Sequence, residues 1–271
     1  MASSKCCDNP PQLNPAGGEG KVIDSFGGLK AYVVGSEDCK AAVVLVSDVY
    51  GFEAPNLRFD DYYLFSPFRI IHCWFLERKI ADKVSSSGYF VVVPDFLHGD
   101  PYVPGKTDRS LPVSVWVASH DPIKGFEEAK PVIAALKDKG ICTVGAAGYC
   151  LGAKIVVELA KSREIQAAVL LHPTFVTVDD IKEVKCPISI LGAEIDKYSP
   201  PELMKQFEIV LSANYGVSHF VKIFPGVRHG WSVRYREHDA TALESAEEAM
   251  TDMMDWFHKN LKLTLKLKPS M

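Results

Sequence analysis

Short apolar runs alternate along the chain with longer segments whose apolar residues recur at helical spacing. The runs are nearly continuous and rich in β-branched residues, which is typical of parallel strands buried on both faces. They occupy Ala41–Val46, 89–94, 143–148, Ala167–Leu171, 187–193 and 218–224, and helical spacing is found over 121–139, 150–163, 201–212 and 240–261. This alternation predicts an α/β fold, in which a mostly parallel central sheet is flanked by helices in a three-layer sandwich.

The two ends and one internal segment depart from this rhythm. Lys21–Phe26 and Leu29–Val34, joined by two glycines, predict an opening hairpin. Residues 59–79, FDDYYLFSPFRIIHCWFLERK, interrupt what would otherwise be one amphipathic helix and are interpreted as an insertion, either a lid or a passenger segment. We therefore expect a flexible leader over 1–20, one domain over 21–261 and a C-terminal tail over 262–271.

Composition narrows the class of protein. The chain has 271 residues, 47% of them hydrophobic and 24% charged, with a net charge of −4 and a pI near 6.1. Basic residues form no band, and no signal sequence or long apolar run is found, so we expect neither nucleic acid nor a membrane as partner. Seven cysteines without a CxxC pair predict reduced thiols in a cytoplasmic protein and no metal site. Monomer and homodimer both stay open.

The stretch Gly148-Tyr149-Cys150-Leu151-Gly152 carries the first chemical signal. It lies between a predicted strand and a predicted helix and fits the pattern glycine, any residue, nucleophile, any residue, glycine. A helix N-terminus favours a thiolate over a thiol at the central cysteine. Two alternatives compete: a cysteine that is merely a small core residue, and a dinucleotide-binding turn, which would need an acidic residue where the chain has Leu171-His172-Pro173.

Candidate partners for Cys150 follow in the chain. Asp196 comes after the strand predicted at 187–193, and His229 comes after the strand predicted at 218–224. The order nucleophile, acid, histidine at the ends of successive strands is that of α/β-hydrolases. This spacing predicts a catalytic triad of Cys150, Asp196 and His229, with Glu194 as the alternative acid. His172 is interpreted as a packing or hydrogen-bonding residue.

With these residues in place, the chain resembles the dienelactone hydrolase family, and its plant branch in particular. The resemblance is carried by SDVYGFEAPNLR, VVVPDF, GAAGYCLGAK, AVLLHPTFV, LGAEID and HGWSVRY. It implies an α/β-hydrolase fold acting on a small ester or lactone, with no metal or organic cofactor. By position, it implies that Cys150 is the nucleophile, His229 the general base and acid, and Asp196 the residue that orients His229.

The same resemblance assigns further residues around the nucleophile. The backbone amides of Leu151 and Val49 would form the oxyanion hole. Asp48 stands where bacterial members have a glutamate that tunes the thiol, and it is one methylene shorter. The substrate-binding candidates are Tyr50, Trp231, Arg234 and Arg109.

A cysteine nucleophile restricts the substrates. A free thiol titrates near pH 8.5, far below an alkoxide's conjugate acid, so a tetrahedral adduct expels the thiolate unless the other leaving group is activated or protonated in time. We therefore expect hydrolysis of activated esters, enol lactones or thioesters. The alternatives are a β-glucan hydrolase, whose carboxylate pair would come from Asp48, Glu53, Asp95 and Asp196, and a non-catalytic binding or actin-associated scaffold.

Overall fold

The central sheet has eight strands. The computed structural model describes residues 19–52, 80–102, 113–235 and 239–261. The strands are β1 Lys21–Phe26, β2 Leu29–Val34, β3 Ala41–Val46, β4 Phe90–Pro94, β5 Thr143–Tyr149, β6 Ala167–Leu171, β7 Ile188–Ile195 and β8 His219–Arg228.

The strand order confirms the predicted mostly parallel sheet. The order across the sheet is β1-β2-β4-β3-β5-β6-β7-β8. The hairpin of β1 and β2 is antiparallel and joins the rest through an antiparallel β2–β4 pair, whereas β4, β3 and β5 to β8 run parallel to one another. Six parallel strands therefore end at the same edge.

Helices cover both faces of the sheet. They are α1 Ile80–Ser86, α2 Val113–Ala118, α3 Pro122–Asp138, α4 Gly152–Ser162, α5 Val178–Lys182, α6 Pro201–Ser212 and α7 Ala240–Asn260. Apolar residues of α3, α4, α5 and α6 pack on one face, and those of α1 and α7 pack on the other. Strands β3 to β6 and most of β7 are buried on both sides, as their continuous apolar runs predicted. The same expectation was wrong for β8, whose residues are mostly exposed or half-buried because it lies at the edge of the described sheet.

The structure differs from the sequence expectations at a few ends. Helices α2 and α5 were not predicted, because five or six residues hold too few turns to show a period. β8 continues to Arg228, beyond the Pro225-Gly226 pair that marked its predicted end. Proline is tolerated there because β8 lies at the edge of the sheet, where one row of backbone groups needs no partner.

Several expectations fall on residues outside those described. These are the insertion at 59–79, most of the leader, the tail at 262–271, and the candidate residues Arg109 and Glu53. They stay predictions. Within the described residues, no helix has the length and hydropathy to cross a bilayer, and no three His, Cys, Asp or Glu side chains are grouped as a metal site.

Candidate active site

The turn between β5 and α4 holds Cys150 at the carboxyl edge of the sheet. Cys150 has a left-handed backbone with φ of 54°, and its side chain is only 5% exposed. A Cβ on Gly148 would lie 2.4 Å from the carbonyl oxygen of Gly152, and a Cβ on Gly152 would lie 2.4 Å from that of Val46. Glycine is therefore required at both flanking positions, because any side chain would open the turn.

His229 joins the cysteine to the aspartate. Its Nε2 lies 3.1 Å from Cys150 Sγ, and its Nδ1 lies 2.7 Å from Asp196 Oδ2. Asp196 follows the end of β7 and His229 follows the end of β8, so the parallel sheet brings both to the same edge as the turn. The three side chains form one hydrogen-bonded row.

Asp196 is held as a carboxylate. Besides His229, it accepts hydrogen bonds from the backbone amides of Tyr198 and Ser199, at 2.8 and 3.3 Å, and from Ser199 Oγ, at 3.1 Å. Burial raises the pKa of Asp196, but these hydrogen bonds and the charge of His229 outweigh burial and lower it. Glu194 instead accepts from the Gly226 amide at 2.7 Å.

The charged groups around His229 raise the pKa of its imidazole. Burial lowers the pKa of its imidazole, but the charge of Cys150 and the hydrogen bond to Asp196 outweigh burial and raise it to about 10. The ring of Tyr198 lies 5.0 Å from the imidazole ring and limits its movement.

The loop after β6 approaches the sulfur from another side. Thr174 Oγ1 lies 3.4 Å from Cys150 Sγ, and the Thr174 amide donates to the Cys150 carbonyl at 3.0 Å. His172 and Phe175, on either side, both have left-handed backbones, with φ of 38° and 62°. Strained residues of this kind persist where the surrounding structure holds them in place.

His172 lies against His229, but its pKa is shifted in the opposite direction. It is fully buried, its Nε2 lies 3.0 Å from Ser232 Oγ, and its ring meets that of His229 edge-on at 5.0 Å. Burial, with the nearby charges of His229 and Arg234, lowers its pKa well below the usual range. His172 makes the kind of hydrogen bond that was expected of it, with Ser232. Its ring also packs against the ring of His229.

The candidate oxyanion hole would take its two amides from the ends of neighbouring strands. Val49 follows β3 and Leu151 precedes α4, and β3 and β5 are neighbours in the sheet. Within the described residues, neither the Val49 amide nor the Leu151 amide donates a hydrogen bond to the protein. Two such donors can serve a developing negative charge.

Asp48, the candidate thiol-tuning residue, is engaged elsewhere. Its Oδ1 accepts from the Tyr50 amide at 2.9 Å, and its Oδ2 lies 3.5 Å from Arg234 Nε. Its carboxylate is 1% exposed, and burial raises its pKa despite the opposing charge of Arg234. No described hydrogen bond joins Asp48 to Cys150.

The remaining substrate-binding candidates are buried around this centre. The guanidinium of Arg234 lies 5.5 Å from the centre of the Tyr50 ring. Trp231 packs edge-on against His172, and its indole nitrogen donates to the Ser245 carbonyl at 3.4 Å. Their roles toward a substrate stay predictions.

Sequence reasoning missed two residues that contact the candidate triad directly: Thr174, which contacts Cys150, and Ser199, which contacts Asp196. Both follow strand ends, at β6 and β7, where functional side chains gather in parallel sheets. That placement is the signal that would have found them.

The model of the dienelactone hydrolase family matches residues 73–261. The chain belongs to the dienelactone hydrolase family. Family membership places it among the hydrolases, as predicted, and agrees with the fold. A dienelactone hydrolase structure from Anabaena variabilis superposes with a TM-score of 0.60 at 16% identity, covering 93% of this chain and 99% of the other. A dienelactone hydrolase-like promiscuous phosphotriesterase from metagenomic libraries gives 0.62 at 16% identity, covering 90% and 99%.

Sequence relatives of this dienelactone hydrolase family member carry several names. A Zea mays protein named endo-1,3;1,4-beta-D-glucanase is 43% identical over 80% of this chain, and the chain spans 64% of the maize protein. A Homo sapiens carboxymethylenebutenolidase homolog is 28% identical, covering 85% of this chain and 87% of the human protein. The hydrolase pyvD of Aspergillus violaceofuscus is 27% identical over 97% of this chain and 98% of its own length.

Proposed function

We propose that this protein hydrolyses activated esters, enol lactones or thioesters through Cys150, His229 and Asp196. The observation that carries the proposal is the row of hydrogen bonds from Cys150 Sγ through His229 to Asp196, at 3.1 and 2.7 Å, with the sulfur on a glycine-flanked turn. Membership of the dienelactone hydrolase family and the carboxymethylenebutenolidase relatives support ester or lactone hydrolysis.

The first half of the reaction acylates the cysteine. The Cys150 thiolate attacks the carbonyl carbon, a C–S bond forms, and the carbonyl π electrons move to oxygen. The amides of Val49 and Leu151 would stabilise that oxyanion. When the adduct collapses, the bond from the carbonyl carbon to the leaving group breaks, C–O in an ester or lactone and C–S in a thioester, and His229 Nε2 donates its proton to the departing atom.

The second half releases the acid. Neutral His229 accepts a proton from water as the water oxygen attacks the thioester carbon. The C–S bond then breaks, the thiolate returns, and the imidazolium is restored. Asp196 keeps its charge throughout and holds Nδ1–H, so that Nε2 always faces the sulfur.

Leaving-group chemistry selects the substrate. The thiolate leaves a tetrahedral adduct more easily than a simple alkoxide does, so plain alkyl esters and amides mostly return to starting material. Enolate, phenolate and thiolate leaving groups compete better. This order of reactivity separates the proposed enzyme from a general esterase.

The maize relative's name favours one alternative, hydrolysis of a β-glucan. Glycosidases need two carboxyl groups about 5–10 Å apart across the sugar bond. Of the candidate carboxylates that are described, Asp196 holds His229, Asp48 faces Arg234, and Asp95 accepts from the Leu97 and Gly99 amides. Each has a structural partner, and a nucleophile turn would have no part in the reaction.

A panel of substrates tests the proposal. Aryl esters, an enol lactone, a thioester, an ethyl ester, an amide and a mixed-linkage β-glucan are assayed with the wild-type protein and with Cys150→Ala. We expect a burst of leaving group and a thioester adduct, seen by mass spectrometry, with the activated substrates alone. The variant should lose both.

The matched control is Cys186→Ala, which removes a buried thiol outside the site. It should keep the burst. A burst retained in Cys150→Ala would remove the cysteine from the mechanism. Glucan cleavage unaffected by that substitution would favour the glycosidase alternative.

A further inference from the structure

Cys150 Sγ has two described hydrogen-bond partners, and only one of them belongs to the proposed triad. His229 Nε2 is one, and Thr174 Oγ1, at 3.4 Å, is the other. Both the thiol and the hydroxyl are buried, each residue being 5% exposed. The contact is thus shielded from competing water.

We propose that Thr174 is a catalytic residue whose hydroxyl donates a hydrogen bond to the Cys150 thiolate and holds it charged and in place for attack. The inference rests on the proposed function for the identity of the nucleophile. It assigns to Thr174 the thiol-tuning task that the family resemblance gave to Asp48.

The direction of the hydrogen bond follows from the charge state. A thiol can donate to a hydroxyl or accept from it, but a thiolate can only accept. In the ionised form that the proposed mechanism uses for attack, Cys150 Sγ can only accept, so the Thr174 hydroxyl 3.4 Å away must donate. Hydrogen bonds to an ionised acceptor are the strong ones.

The backbone places the Thr174 hydroxyl at the sulfur. The Thr174 amide donates to the Cys150 carbonyl at 3.0 Å, and the Cys150 amide donates to the Leu171 carbonyl at 3.1 Å. These bonds fasten the β6 loop to the turn on both sides of the sulfur contact. Threonine is also β-branched, which restricts rotation about its first side-chain bond.

Backbone strain in the β6 loop also supports a role for Thr174 at the sulfur. His172 and Phe175 both have positive φ values, although neither is glycine. A relaxed loop would take glycine or asparagine at such positions. The two strained residues bracket Thr174, so the loop holds an unfavourable backbone where that hydroxyl meets the nucleophile.

Asp48 lacks the geometry for this task. Its carboxylate accepts from the Tyr50 amide and faces Arg234, and no described hydrogen bond reaches the sulfur. A carboxylate at the sulfur would also repel a thiolate, whereas a hydroxyl attracts it. Thr174 therefore stabilises the nucleophile when it is free and is released when the sulfur becomes a thioester, which accepts hydrogen bonds poorly.

The test measures ionisation without any ester substrate. Thr174→Val keeps the shape of the side chain and removes the hydroxyl, and Thr174→Ser keeps the hydroxyl. The probes are the rate of alkylation by iodoacetamide between pH 5 and 10 and the ultraviolet absorbance of the thiolate. In Thr174→Val, we expect alkylation of Cys150 at pH 6 to fall about tenfold and the profile to move to higher pH.

Thr174→Ser should stay within about threefold of the wild-type rate, because the donor is retained. The matched control, Thr143→Val, removes a hydroxyl that donates to the Leu261 carbonyl at 3.4 Å, at the start of β5. Its alkylation profile should equal the wild-type profile. If Thr174→Val does not fold, Thr174→Ala removes the same donor without the bulk of a second methyl group.

A profile of Thr174→Val or Thr174→Ala that superposes on wild type would overturn the assignment. So would equal losses in Thr174→Ser and Thr174→Val, because these would report packing rather than the hydroxyl. Failure of the wild-type protein to hydrolyse any ester would leave these alkylation results intact, so the two proposals fail separately.

Discussion

Two buried aspartates at the same edge of the sheet show opposite behaviour. Asp196 accepts four hydrogen bonds, from His229, the Tyr198 amide, and the amide and hydroxyl of Ser199, and its pKa is lowered. Among the described residues, the side chain of Asp48 accepts one hydrogen bond, from the Tyr50 amide, and its pKa is raised. Asp48 is the more deeply buried of the two and has fewer donors, and both differences raise its pKa relative to that of Asp196.

The opposite pKa shifts suit the carboxylates of Asp196 and Asp48 to different roles. A carboxylate that keeps its charge can stabilise an imidazolium through every step of a reaction. A carboxylate that burial pushes toward the neutral form, opposite a buried arginine, is suited to respond to a ligand or to keep the arginine in place. Environments that separate the pKa values of neighbouring acids often divide their roles.

The largest expected effect comes from neutralising each aspartate in turn. Asp196→Asn should lower kcat/KM for an aryl ester about 10³-fold, because His229 loses its charged partner and its fixed tautomer. Asp48→Asn, the matched change on the other carboxylate, should lower it no more than about tenfold. Steady-state kinetics checks both, and equal losses of kcat/KM in the two variants would contradict the different roles of Asp196 and Asp48.

Removing the partner of Asp48 should lower the stability of the fold. Arg234→Met leaves a buried carboxylate without its cation, a loss of about 3 kcal/mol in the free energy of unfolding. Because the folded-state pKa of Asp48 then rises further above its unfolded value, the variant should be less stable at pH 8 than at pH 5, relative to wild type. Urea unfolding at both pH values measures this. Asp48→Asn in the Arg234→Met background should remove the pH dependence.

The alkaline limb of the activity profile should belong to His229. Its pKa of about 10 means that the imidazolium needed to protonate the leaving group persists to that pH and is lost above it. The charge of Cys150 contributes most to raising this pKa, and the Asp196 carboxylate adds to it. In Asp196→Asn a neutral amide replaces that carboxylate, so the limb should move down by about one pH unit. An unmoved limb in the pH dependence of kcat/KM would mean that another group titrates there.

The smallest expected effect concerns the support of Asp196. Ser199→Ala removes one donor to the same oxygen that accepts from His229, at 3.1 Å. We expect a loss of about 1 kcal/mol of stability and a fall in kcat of a few-fold. Ser212→Ala, on the exposed end of α6, is the control and should change neither the melting temperature nor kcat by a measurable amount.

The regular parts of this fold could be predicted, because their signal is local. Apolar runs located β3 to β8 within a few residues, and the chain order of Cys150, Asp196 and His229 placed the candidate triad at strand ends. The contact of Thr174 with Cys150 could not be predicted in the same way. It depends on two left-handed residues that are not glycine, and the sequence marks neither of them.

Asp48 illustrates the second limit. Its position in the family pattern suggested contact with the thiol, but the side chain follows its nearest cation and the Tyr50 amide instead. Which of several buried charges pair depends on distances of a few ångströms between loops that are far apart in the chain. Such distances are set by packing and produce no periodic pattern in the sequence.

The backbone of Cys150 has a consequence for how this family can lose its activity. A left-handed residue with a Cβ is disfavoured by about 1 kcal/mol relative to glycine. Glycine at position 150 would relieve the strain while removing the proposed nucleophile. One codon change would therefore leave a folded relative without the proposed nucleophile, and preservation of the architecture in a descendant says nothing about preservation of Cys150.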